Sequence, residues 1–88
     1  MNEKELVEFI AKALVDNADK VQVNMIESEK STILELSVDE PDIGKIIGKH
    51  GRIAKAIRTI LSAVSNKSNK RVLLDIIDWF FYPFLEKF

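Results

Sequence analysis

The stretch Ile43-Gly44-Lys45-Ile46-Ile47-Gly48-Lys49-His50-Gly51-Arg52-Ile53-Ala54-Lys55-Ala56-Ile57 decides how this chain is organised. Its apolar residues recur at helical spacing on both sides of Gly48 and Gly51. Two glycines three positions apart break that pattern, so the stretch reads as two helices joined by a tight turn. Glycine at both corners lets an outside group approach the main chain closely, because no Cβ stands in the way. The second helix starts at Gly51, and its first N–H groups and dipole favour an anion there. Lys49 and His50 sit between the glycines, with Lys45 and Arg52 flanking them. Ile46 and Ile47 are placed either to pack the first helix inward or to line a groove.

Upstream, residues 3–15 form an amphipathic helix with Leu6, Phe9, Ile10, Ala13 and Leu14 as its apolar stripe. Asn2 and Glu5 have the spacing of a capping box. Val21, Val23 and Met25 alternate with polar residues, as do Leu34, Leu36 and Val38, which predicts two strands. The polar segment 27–31 between them has hairpin length, so the strands pair antiparallel. Asp39-Glu40-Pro41-Asp42 opens the helix before the glycine turn, with proline and acids where a first turn favours them. Downstream, a longer helix covers about Arg52 to Val64. Residues 65–69 form a polar loop, and residues 70–77 a third strand.

The resulting order is α-β-β-α-α-β: an α+β fold with a three-stranded sheet packed on one side by helices. The domain covers 3–77, leaving 78–88 as a C-terminal tail. Eighty-eight residues suffice for one domain. Six of the seven aromatic residues lie between Trp79 and Phe88. Trp79, Phe80 and Phe81 are candidates for a partner contact, the tail's aromatics also for stacking against bases, and the whole tail is equally a candidate cover for a small core. Proline at 83 and the short length argue against a membrane anchor.

The chain has no cysteine and one histidine, His50, which excludes disulfides and the common metal sites. No cofactor motif and no nucleophile–base constellation is present, so no enzyme activity is expected. No segment resembles a signal peptide or a membrane span, and a cytoplasmic setting follows as the expectation. Net charge is −1, yet residues 43–74 hold eight Lys or Arg and no acid. Such a segregated segment focuses positive potential on one face. Lys45, Lys49 and Arg52, with Lys55 behind them, are the candidate phosphate contacts.

Ile46-Ile47-Gly48-Lys49-His50-Gly51, followed by Ala54 and Ile57, resembles the signature of the KH domain. The element order is similar to the type II form of that fold, and the chain length to the small bacterial single-KH family KhpA. In KH domains the Gly-x-x-Gly loop clamps about four nucleotides of a single strand. The resemblance therefore implies single-stranded RNA binding through residues 45–52 and Lys55, and an RNA chaperone acting with a larger KH-containing partner of the KhpB type. It also implies a link to cell length and peptidoglycan homeostasis. Many KH loops carry two basic residues between the glycines; this one has Lys-His. In the longer helix Ala54, Ile57, Leu61 and Val64 suit the core, so Ile53 is expected to be exposed. It is then either a solitary surface residue or part of a homodimer or KhpB contact. The competing function is a protein-interaction or dimerisation module that uses the KH scaffold without strong RNA binding.

Overall fold

A computed structural model describes residues 1–66 and 70–77. Helix α1 spans Glu3–Leu14, strand β1 Gln22–Glu27, strand β2 Ser31–Ser37, helix α2 Ile43–Ile47, helix α3 Arg52–Ser65 and strand β3 Arg71–Ile76. Short 3-10 turns at Ala18–Lys20, Glu40–Asp42 and Lys49–Gly51 join them. The α-β-β-α-α-β order and the α+β class expected from the sequence are both present.

The sheet runs β1-β2-β3, with β2 central. β1 pairs antiparallel with β2 through a tight connection, and β3 pairs parallel with β2. A parallel pair needs a crossover, and α2 and α3 supply it. Leu34 and Leu36 of β2 are essentially fully buried, as are Leu74 and Ile76 of β3 beside them. They face Ile43, Ile46 and Ile47 of α2 and Ala54, Ile57 and Leu61 of α3 in one continuous core.

The Asn2–Glu5 capping box forms as read. Asn2 Oδ1 accepts from the Glu5 N–H at 2.9 Å, and the Asn2 N–H donates to Glu5 Oε1 at 3.2 Å. The inward face of α1 differs from the expected stripe. Val7 and Ala11 are its buried residues, Leu6 and Ile10 flank them, and Ala13 and Leu14 are exposed. Phe9 is 64% exposed. The helix is thus rotated by roughly one residue, ~100°, from the stripe drawn through its larger side chains. Valine and alanine let the helix axis lie close to its neighbours, and that geometry outweighs the greater area of Phe9 and Leu14. Met25 shares a face with Val21 and Val23 but lies at the margin of outer strand β1, and it stays half exposed.

Candidate nucleic-acid interface

Helix α2 ends at Gly48, whose N–H reaches back to the Gly44 carbonyl at 2.9 Å. Gly48 has φ +76° and ψ 171°, a region essentially restricted to glycine. A Cβ at this position would lie 2.6 Å from Ile53 Cγ1 and 2.9 Å from both Ile53 Cβ and Cδ1. The glycine is therefore required twice, by its backbone conformation and by the side chain beneath it. His50 (φ 58°) and Gly51 (φ 73°) are both left-handed. Histidine is one of the few non-glycine types found there with some frequency. The turn closes through the Gly51 N–H to the Gly48 carbonyl at 3.1 Å.

This path pushes Lys49 and His50 outward, and both are exposed. Among the described residues, their backbone N–H groups find no protein acceptor. Arg52 and Lys55, one turn apart on α3, are exposed as well. Neither they nor Lys49 form an ion pair with a described residue. The loop and the first turn of α3 thus present free amides and three exposed, uncompensated cations, an arrangement suited to oxyanions.

Lys45 has a different setting. Its Nζ lies 3.0 Å from Asp16 Oδ2 and 3.2 Å from Asp42 Oδ1. Asp42 is buried and also accepts from the N–H groups of Asn17 (3.0 Å) and Asp16 (3.3 Å). The Asn17 N–H, with further help from Asp16 and Lys45, holds the Asp42 carboxyl below its ordinary range against the opposing effect of burial. Hydrogen bonds to Asp16 and then Asp42 push the Lys45 ammonium above its ordinary range. Lys45 therefore ties the start of α2 to the end of α1, with its charge largely spoken for. The acid-free window is real in sequence but not in space. Asp42 lies three residues before Lys45, at a spacing that could have revealed it; Asp16 is 29 residues away and could not.

Two further expectations need correction. Ile46 and Ile47 are core residues, at 0% and 8% exposure, and cannot line a surface groove. Ile53 is not exposed: it is half-buried, packs against the core and supports Gly48 from below. Arg58 is partly buried and donates from Nη2 to the Leu74 carbonyl at 3.2 Å, which bridges α3 to β3. Lys67, Trp79, Phe80 and Phe81 lie outside the described residues.

Sequence reading missed a cavity of about 490 Å³ between the C-terminal half of α3 and the start of β3. Arg58, Leu61, Ser62, Lys70, Arg71 and Leu74 contribute to its walls. Arg58 and Ser62 lie on the same flank of α3 as Lys55, so the cavity continues the side of the helix that the loop cations occupy. It joins residues from two elements distant in sequence, a juxtaposition that no local pattern signals. Among the described residues no three His, Cys, Asp or Glu side chains converge on a metal position, and no helix is long and apolar enough to cross a membrane.

Residues 4–76 match the family described as KhpA/KhpB, KH domain. The chain belongs to this family. The protein named RNA-binding protein KhpA from Borreliella burgdorferi is 62% identical over 77 residues, covering 88% of this chain and 94% of that protein. Proteins of the same name from Aquifex aeolicus and Clostridium perfringens are 56% and 58% identical, covering 85% and 84% of this chain and 95% and 99% of theirs. The family is one of binding proteins, not of enzymes. No solved structure matches the chain. Family membership agrees with the three-stranded α+β fold.

Proposed function

We propose that the chain binds single-stranded RNA by clamping the sugar–phosphate backbone on the loop Gly48–Gly51. The observation that carries this reading is the convergence of two open amides, at Lys49 and His50, with the unpaired cations of Lys49, Arg52 and Lys55. Phosphate contacts position a strand without reading its sequence. Bases of the bound strand then lie along the Lys55 flank of α3, toward the cavity against β3. The relatives named as RNA-binding proteins support RNA as the ligand.

The test is a titration with a short single-stranded RNA, comparing wild type with the Lys49→Asp, His50→Asp double variant after its helix content is checked by circular dichroism. Loss of binding in the folded double variant is expected; equal binding refutes the site. Arg52→Ala reduces the salt dependence of log K by roughly 0.7, the single-strand value for one phosphate contact. Lys45→Ala leaves that slope nearly unchanged, because its partners are Asp16 and Asp42.

A homodimer, or a heterodimer with a KhpB-type partner, is the second part of this proposal. Ile53, Ala56 and Ile60 form a stripe on the flank of α3 away from Lys55, and Ile60 is 44% exposed. Ile53 and Ile60 lie ~140–160° from Lys55 around the helix, whereas Ala56 is one turn from Arg52, so a contact centred on Ile60 leaves the Lys55 flank free for RNA. Ile60→Asp is a cleaner probe of this contact than Ile53→Asp, since Ile53 also supports Gly48. Light scattering of the Ile60→Asp variant should show monomers where wild type shows dimers. An RNA-chaperone role in the cytoplasm, with effects on cell length and peptidoglycan, is the cellular reading that accompanies this proposal.

A further inference from the structure

Strand β3 is an outer strand, so one of its edges points away from β2. The Arg71 N–H donates to the Lys30 carbonyl at 3.2 Å, and the Ile77 N–H to the Leu36 carbonyl at 2.9 Å. In a parallel pair the residues bonded to the partner strand alternate with residues whose N–H and C=O point the other way. The odd-numbered residues of β3 therefore serve β2, and Val72, Leu74 and Ile76 turn their main-chain groups outward. The Leu74 side chain belongs to the core, so it is the main chain of Leu74 that meets the cavity between α3 and β3.

A residue on an open strand edge offers a donor and an acceptor side by side. At Leu74 that pair is altered. Arg58 Nη2 donates to the Leu74 carbonyl at 3.2 Å, whereas the Leu74 N–H has no acceptor among the described residues. A guanidinium carries N–H donors and no acceptor. At this point the edge therefore meets the cavity with donors alone. The cavity itself, about 490 Å³, is within the roughly 300–1,000 Å³ of small-ligand sites, which is ample for a purine base. Leu61 and Val72 give it apolar wall, and no acidic residue is among those that line it. Lys70 and Arg71 also line it, and neither forms an ion pair with a described residue, so they can balance the phosphates on either side of a base.

Purines differ in what they ask of such an edge. Adenine presents the N7 acceptor beside the N6 amino donor, and guanine presents two acceptors, N7 and O6. A bare edge residue suits adenine. With its carbonyl covered by a guanidinium, the edge suits guanine, and the adenine amino group in the same pose would be left without an acceptor. We propose that Arg58 selects the base in the bound strand: by covering the Leu74 carbonyl it makes the α3–β3 cavity a site for guanine and against adenine. This rests on the backbone-clamp reading of the Gly48–Gly51 loop and adds a choice of base to it.

The test titrates the full chain against short labelled oligouridylates, each carrying one central guanine, inosine, adenine or 7-deazaguanine, and reads fluorescence anisotropy. For wild type, guanine and inosine, which keeps both acceptors, should bind at least about fivefold tighter than adenine. 7-Deazaguanine, with C–H in place of N7, should fall toward adenine. Arg58→Met keeps the packing of the side-chain stem and uncovers the Leu74 carbonyl, so the guanine preference should vanish or turn to adenine. Arg58→Gln, which brings an acceptor of its own, should do the same. Circular dichroism checks that both variants fold, and the ratio of affinities within each protein cancels any uniform loss of binding. Equal affinity of wild type for guanine and adenine, or a preference that survives both substitutions, overturns the assignment. If the bases are not distinguished but binding still requires Lys49 and His50, the clamp stands and this inference alone falls. If no oligomer binds, both fall.

Discussion

Replacing Gly48 by alanine adds one carbon atom where both the backbone and the neighbouring side chain exclude it. With φ at +76° and ψ at 171°, the alanine would occupy a glycine-only region at a cost of about 1–3 kcal/mol. Its Cβ would meet Ile53 at 2.6–2.9 Å, and one of the atoms it meets is Ile53 Cβ, which cannot swing away. Overpacking of this kind adds about 1–3 kcal/mol. The sum, roughly 2–6 kcal/mol, is a large share of the ~4–13 kcal/mol expected for a domain of this size. Urea unfolding followed by circular dichroism measures it as a fall in the midpoint with an unchanged slope. The Gly48→Ala, Ile53→Ala double variant separates the two causes. Truncating Ile53 to alanine removes the contacts to Cγ1 and Cδ1 but leaves its Cβ and the backbone strain, so the pair should show a favourable coupling of about 1–2 kcal/mol, short of the full overpacking cost. A loss below about 0.5 kcal/mol for Gly48→Ala, or strict additivity in the cycle, would refute this account of the loop.

Two other predictions concern the residues on either side of α2. The Asp42 carboxyl is held below its ordinary range in the folded state, so its contribution to stability is complete above about pH 4 and disappears as the pH falls through the folded-state value. Thermal unfolding from pH 7 to 2 should therefore fall less steeply below pH 4 in Asp42→Asn than in wild type; parallel curves would contradict the network. His50 occupies a left-handed conformation that asparagine tolerates and β-branched residues do not. His50→Val should cost about 1–2 kcal/mol in urea unfolding, and His50→Asn less than ~0.5. Equal losses for the two variants would argue against a left-handed residue at this position.

The element order was legible because each signal is local. Alternation in 32–38, the Asn2–Glu5 cap and the glycine pair at 48 and 51 each specify a short piece of backbone, whatever it packs against. The loop residues Lys49, His50 and Arg52 were legible for the same reason: a turn between two helices has to project what lies between its glycines. Ile46 and Ile47 were placed only as far as two alternatives, since an apolar helical residue suits a core and a groove equally.

By itself, then, the sequence determined the fold class, the position of the Gly48–Gly51 loop and the cations at its edge. Tertiary structure alone decided that Lys45 belongs to Asp16 and Asp42 and that Ile53 lies beneath Gly48. It also decided that α1 turns Val7 and Ala11 inward in place of Phe9. The physical reason is common to all three. Local periodicity sets which residues share a face, but which face is buried, and which charge is neutralised, depends on what the rest of the chain brings within a few ångströms.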